Sequence, residues 1–131
     1  MARILLTEDD EAVRSFVKRA LELDGHTVCA SEDGGAALET LVRERGSFDL
    51  LLSDIKMPVM DGIALALATA RDWPSLPILL MTGFADQRER ANGLDELVHD
   101  VITKPFSLAD IRQAVRDAIH GVVREQRRLS A

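Results

Sequence analysis

Short apolar runs alternate with helical patterns along most of the chain. Five runs have the length and composition of buried strands, at Arg3–Thr7, Thr27–Ala30, Leu50–Ser53, Ile78–Met81 and Val98–Ile102. Apolar residues that recur three and four positions apart predict helices over the ranges 13–21, 37–42, 63–70 and 108–122. A further helix, fourth in chain order, is predicted over Asp86–Glu96, where polar residues and Gly93 favour a short or mobile element.

This alternation predicts an α/β fold with a doubly wound, five-stranded parallel sheet and five helices in three layers. The 131 residues suffice for one such domain. Two helix starts carry capping signals. Ser107 and Asp110 form an acidic variant of the capping box, and Asp61 is predicted to cap the third helix.

Polar residues follow four of the predicted strands where each strand ends. The first strand ends in "TEDD", the third in "SD", the fourth in "TG" and the fifth in "TKP". Ligands of open α/β sheets bind outside the carboxyl ends of the strands. We therefore expect acids, a threonine hydroxyl and a lysine to meet at one edge of the sheet.

The acids in this set indicate a cation, because neighbouring carboxylates repel each other by about 1 kcal/mol at 4 Å in water and by more in a drier pocket. Hard carboxylate oxygens suit Mg²⁺ or Mn²⁺. A lysine supplies charge for a phosphate, and a threonine supplies a hydroxyl donor. The combination predicts phosphoryl transfer onto an aspartate, which acts as a nucleophile.

Composition and charge exclude several classes of partner. The net charge of −6 argues against a nucleic acid or an anionic membrane. The single cysteine, Cys29, cannot form an internal disulfide and is expected to be a reduced thiol buried in the core. The sequence has neither a signal peptide nor an apolar run of membrane-spanning length, so we expect a cytoplasmic protein. The histidines His26, His99 and His120 lack metal-ligand spacing and are expected at the surface.

Four motifs in order resemble the receiver domain of bacterial two-component response regulators, of the CheY-like type, over residues 3 to about 120. They are Glu8-Asp9, Asp54 followed by "IKMPVMDG", Thr82-Gly83, and Lys104-Pro105-Phe106. The resemblance implies a flavodoxin-like sheet with strand order 2-1-3-4-5.

The resemblance also implies a role for each motif residue. Asp54 would be the phosphoacceptor, and Thr82 and Lys104 would bind the phosphoryl group and take part in switching. The metal would be held by Asp9, Asp54, the backbone carbonyl of Lys56 and, through a water, Glu8. Supporting residues would be Asp10, Gly83, Phe84 and Pro105, the last after a cis peptide bond.

The acidic run leaves one choice open from the residues alone, because Asp9 or Asp10 could bind metal or cap the first helix. The resemblance favours Glu8 and Asp9 as the metal pair and leaves Asp10 as the helix cap. The sequence departs from many receivers at Val101, where they carry an aromatic residue that moves during switching. Phe84 could supply a different aromatic movement or cover the mouth of the site.

We expect residues 1–120 to form the receiver domain and 121–131 a short basic helical extension or tail, without an output domain. The expected partners are a histidine kinase or histidine phosphotransfer protein and a downstream protein target, and the chain is expected to be a monomer. A closer resemblance is to the stand-alone CpdR-type regulators of alphaproteobacteria, which deliver substrates to a AAA+ protease. The resemblance does not imply an enzyme, although receivers promote their own phosphorylation and dephosphorylation.

Three other classes share parts of the pattern. A flavodoxin would need a phosphate-binding loop where "TEDDEAV" stands, and these acids would repel a cofactor phosphate. A haloacid-dehalogenase-type phosphatase would need a second aspartate at the position of Lys56. A phosphorylation-independent adaptor on the receiver fold remains the alternative, and the set of Asp54, Thr82 and Lys104 argues against it.

Overall fold

The computed structural model describes residues 1–83, 94 and 96–121. Its five strands are β1 Arg3–Thr7, β2 Thr27–Ser31, β3 Leu50–Asp54, β4 Ile78–Thr82 and β5 Asp100–Thr103. In the same ranges four helices are present: α1 Glu11–Leu23, α2 Gly34–Arg43, α3 Gly62–Asp72 and α4 Leu108–His120. The helix predicted over Asp86–Glu96 lies outside the described residues, apart from Leu94 and Glu96.

The strands form one parallel sheet in the order β2-β1-β3-β4-β5, which confirms the predicted order. One apolar core packs between the sheet and helices α1 and α4. A second core packs on the other face, against α2 and α3. Every residue of β3 and β4 is buried, because these two strands lie inside the sheet with a core on each face. The three predicted layers are therefore present.

The strand ends differ from the prediction by one or two residues. Both β3 and β4 continue through their polar last residues, Asp54 and Thr82. The last strand begins at Asp100 instead of Val98. The Val98 N–H donates instead to the carbonyl of Leu94 at 2.9 Å.

The helix starts follow the predicted capping chemistry. The Asp10 side chain accepts the Val13 N–H at 3.1 Å, and the Asp61 side chain accepts the Ala64 N–H at 2.9 Å. Ser107 and Asp110 form the reciprocal capping box of α4. These three predictions are confirmed.

Two predictions about burial are wrong. The His26 side chain is only 9% exposed, and its Nδ1 accepts the Ala2 N–H at 3.1 Å. This hydrogen bond holds the imidazole between the start of β1 and the end of α1. Cys29, on the edge strand β2, packs against the second core but is only half-buried, so the expectation of full burial is wrong. None of the helices in the described ranges has the length and apolar character needed to cross a membrane.

Candidate functional site

Three acids meet where β1 and β3 end. Thr7 and Ser53 are partners in the parallel ladder, so the next residue of each strand path, Glu8 and Asp54, lies at the same edge. One carboxylate oxygen from each of Glu8, Asp9 and Asp54 lies within 4.8 Å of the others. Glu8 is fully buried, Asp54 is 7% exposed and Asp9 is exposed. The cluster is therefore open to solvent on the Asp9 side.

Lys104 reaches the same cluster from the end of β5. Its Nζ lies 2.6 Å from Oε1 of Glu8 and 3.3 Å from Oδ1 of Asp54. The Lys104 N–H donates to the carbonyl of Thr82 at 2.7 Å, which fixes the backbone from which the side chain extends. The Lys104–Pro105 peptide bond is cis, as the resemblance implies.

Burial and crowding perturb the charges of the site. Burial of the carboxyl group, followed by the adjacent carboxyl group of Asp54, raises the pKa of Glu8 to about 8, and the neighbouring Lys104 opposes this rise. Burial by itself would lower the pKa of Lys104, but the hydrogen bond to Glu8 and the charge of Asp54 outweigh it, and the pKa is raised. The raised pKa of Glu8 shows that a further negative charge is unfavourable at this cluster.

The donor set fits a hard divalent cation. The second carboxylate oxygen of Glu8, Oε2, is buried and has no hydrogen-bond partner. An open cavity of about 420 Å³ adjoins the three acids and leaves room for an ion with waters. It is lined by Glu8, Asp9, Asp10, Val13, Asp54, Lys56, Gly83 and Lys104.

Thr82 and Gly83 lie at the edge between Asp54 and Lys104. Thr82 is the buried last residue of β4, and it pairs in register with Thr103, the residue before Lys104. Gly83 is exposed and stands next to the Lys104 side chain. Phe84 lies outside the described residues. Val101, at the position of the expected aromatic residue, is buried in the core on the α2 and α3 side.

Two features of the site were not predicted from the motifs. One is the short contact between Glu8 and Lys104. The motifs predict how each of these residues would contact a metal or a phosphoryl group, but not that the two would contact each other. The other is the buried Ser53 hydroxyl, which donates to the backbone carbonyl of Asp54 at 2.9 Å. The only indication of this hydrogen bond in the sequence is that Ser53 is a polar residue after the apolar run of β3.

The match to the response regulator receiver domain covers residues 4–116. The chain belongs to this family. It is 42% identical over 111 residues to the response regulator receiver protein CpdR of Brucella abortus, covering 85% of this chain and 91% of CpdR. It is 37% identical to response regulator MprA of Mycobacterium leprae over 87% of this chain and 49% of MprA, so the receiver spans about half the length of that relative.

Solved receiver structures share the fold. A receiver domain protein from Clostridium thermocellum has a TM-score of 0.84 at 24% identity, covering 92% of this chain and 96% of that one. A CheY-like receiver domain protein from Methanospirillum hungatei has a TM-score of 0.83 at 27% identity, covering 92% and 95%. The family and its fold therefore account for the sheet order and for the acidic cluster at its edge.

Proposed function

We propose that this receiver accepts a phosphoryl group on Asp54 from a histidine kinase or histidine phosphotransfer protein and signals through phosphorylation-dependent protein contacts. The observation that carries the proposal is the approach of Lys104 Nζ to within 3.3 Å of Asp54 Oδ1, at a cluster of three acids. A buried aspartate beside a lysine and a cation site has the groups that acyl-phosphate formation requires.

The residues divide the work of the transfer. An Asp54 oxygen attacks the phosphorus of the donor's phosphohistidine as the P–N bond breaks, and the electron pair leaves on the histidine nitrogen. Lys104 then pairs with the phosphoryl oxygens, and the Thr82 hydroxyl donates to one of them. Magnesium, held by Asp9, Asp54, the Lys56 backbone carbonyl and, through a water, Glu8, would supply charge neutralisation.

An apolar groove beside the acids supports docking of a protein donor. It has a volume of about 430 Å³ and is lined by Ala12, Val13, Phe16, Lys104, Pro105 and Phe106. The groove shares Val13 and Lys104 with the acidic cavity, and Phe16 is 42% exposed. A donor helix that covers this groove would bring its phosphohistidine to the open side of the cluster. The similarity to CpdR supports a AAA+ protease as the downstream partner whose binding depends on phosphorylation.

Phosphorylation with a small donor tests the chemistry. Wild type incubated with magnesium and acetyl phosphate should gain the mass of one phosphoryl group, and Asp54→Ala should gain none. Intact-protein mass spectrometry measures both. Equal labelling of the two proteins would refute the assignment of Asp54. Affinity capture with wild type and Asp54→Asn under phosphorylating conditions would then identify the downstream protein.

A further inference from the structure

The loop between β3 and α3, residues 55–61, is anchored at both ends. The Ile55 N–H donates to the carbonyl of Met81 at 3.0 Å, and the Ile55 carbonyl accepts the Gly62 N–H at 2.7 Å. Gly62 lies so close to Asp54 that a Cβ atom there would overlap the Asp54 carbonyl oxygen. These contacts fix where the loop begins and ends, and between them the Met60 N–H donates to the carbonyl of Pro58 at 2.8 Å and closes a tight turn.

The middle of the loop holds a strained residue. Val59 has a φ of 69°, in the left-handed region that β-branched side chains rarely adopt. Its side chain is 86% exposed, so burial of Val59 itself does not offset the strain. A conformation of this kind persists only where the surrounding structure enforces it.

The amino-terminal end of α2 packs against the middle of the loop. Gly34, the buried first residue of α2, lies against the loop so closely that a Cβ atom there would overlap the Met60 carbonyl oxygen. A Cβ atom on Gly35 would stand 2.9 Å from Cγ1 of Val59. The Asp33 side chain caps this helix start by accepting the Ala36 N–H at 2.8 Å.

We propose that Gly34 is a positioning residue for the cation site, acting through Met60. The capped start of α2 holds loop 55–61 on the path that presents the Lys56 backbone carbonyl beside Asp54. This inference rests on the proposed function, since the Lys56 carbonyl is a ligand only if the site binds magnesium. Gly34 lies at the start of the helix after the edge strand β2, outside the four site motifs in sequence, although it packs against Met60 of the Asp54 motif.

Magnesium alone, titrated into the unphosphorylated full chain by calorimetry, is the probe. In Gly34→Ala the new Cβ atom must displace the Met60 carbonyl, and the loop with it. Because residues that orient metal ligands from outside the coordination shell strongly affect metal affinity, we expect the magnesium dissociation constant to rise about tenfold. An unchanged dissociation constant would overturn the proposal.

Gly46→Ala is the matched control. A Cβ atom on Gly46 would overlap the Trp73 ring, and alanine at this position would be strained because the backbone φ is 67°. Gly46 lies before the start of β3, at the end of the sheet away from the cation site. We expect this variant to lose at least as much unfolding free energy as Gly34→Ala while its magnesium dissociation constant changes by less than about twofold, because distant sites act independently. Equal weakening in both variants would mean that general destabilisation causes the loss, and would overturn the proposal.

Asp33→Ala provides the test if Gly34→Ala does not fold. Loss of the cap frays the start of α2 without blocking the loop, and we expect magnesium to bind several-fold more weakly. Wild-type affinity in Asp33→Ala would then overturn the proposal. A wild type that binds magnesium but is not phosphorylated on Asp54 would refute the proposed function alone. Normal phosphorylation with unchanged affinity in these variants would refute the positioning role alone.

Discussion

At the scale of single residues, Glu8 and Asp9 stand in contrasting environments although they are neighbours. Glu8 is fully buried and lies 2.6 Å from the Lys104 ammonium, whereas Asp9 is exposed and has no such partner among the described hydrogen bonds and ion pairs. Asp9 therefore adds negative charge beside Asp54, while Lys104 is already engaged by Glu8 and Asp54. A cation bound at the cluster would relieve this repulsion.

Asp9→Asn should raise the melting temperature of the metal-free protein and reduce the further rise on adding magnesium. The first effect follows from removing a repelling charge, and the second from removing a metal ligand. Thermal unfolding with and without magnesium measures both.

Asp10→Asn is the matched control, because asparagine also caps helices well and the Asp10 side chain accepts the Val13 N–H. This variant loses the same charge one residue further along but should keep most of the magnesium effect. If it loses more of that effect than Asp9→Asn does, the metal pair is misassigned.

The sequence alone predicted which residues meet at this site but not how they contact each other. Glu8, Asp54 and Lys104 could be placed together because the carboxyl ends of parallel strands share an edge. The pairing of Lys104 with Glu8 depends on side-chain geometry between positions 96 residues apart, which periodicity cannot supply. The burial of His26 was missed for a similar reason, since its partner is the backbone of Ala2.

At the scale of elements, Asp24 ties the end of α1 to α4. Its carboxylate accepts hydrogen bonds from Arg112 at 2.6 Å and from Arg116 at 2.7 and 2.9 Å, and its side chain is 11% exposed. Arg112 and Arg116 are four residues apart, so both extend from the same face of α4. No periodicity or motif indicates this tie, whereas the caps of α1, α3 and α4, which depend on residues three positions apart, were predicted correctly.

Asp24→Asn should lower the free energy of unfolding by about 1–2 kcal/mol, because it removes the charge that both arginines pair with and replaces one accepting oxygen by an NH2 group. Chemical denaturation measures the change. Asp72→Asn is the control, since Asp72 also pairs with an arginine, Arg71, but on the exposed surface. A loss in Asp72→Asn equal to that in Asp24→Asn would contradict the role of burial.

At the scale of the whole molecule, the same tie predicts how the fold responds to acid. Hydrogen bonds from Arg116 and Arg112 lower the pKa of Asp24 to about 2 from its usual 3.8. A depressed acid pKa contributes stability above the unfolded-state value, and this contribution is lost as the pH falls through the folded-state value. Asp24 therefore stabilises the fold fully above about pH 4 and ceases to do so near pH 2.

Unfolding free energies measured between about pH 5 and 2 should fall more steeply for wild type than for Asp24→Asn. The two curves should approach each other at the acid end, because protonated Asp24 no longer differs in charge from asparagine. Parallel curves across this range would show that Asp24 does not titrate as described. Magnesium is left out of these measurements so that the acidic cluster contributes equally to both proteins.

The parallel register also limits where the chain can change in length. Adding one residue within β1 would turn its side chains to the opposite faces and carry Glu8 out of line with Asp54. At the opposite end of the strands, where they begin, Pro74 and Ser75 are exposed residues in the connection from α3 to β4, far from these carboxylates. Insertions there would lengthen a turn and leave every strand end in place. The fold thus tolerates foreign sequence, such as a peptide tag or a reporter, at the end where the strands begin. At the end where the strands finish, a single extra residue would displace the site residues.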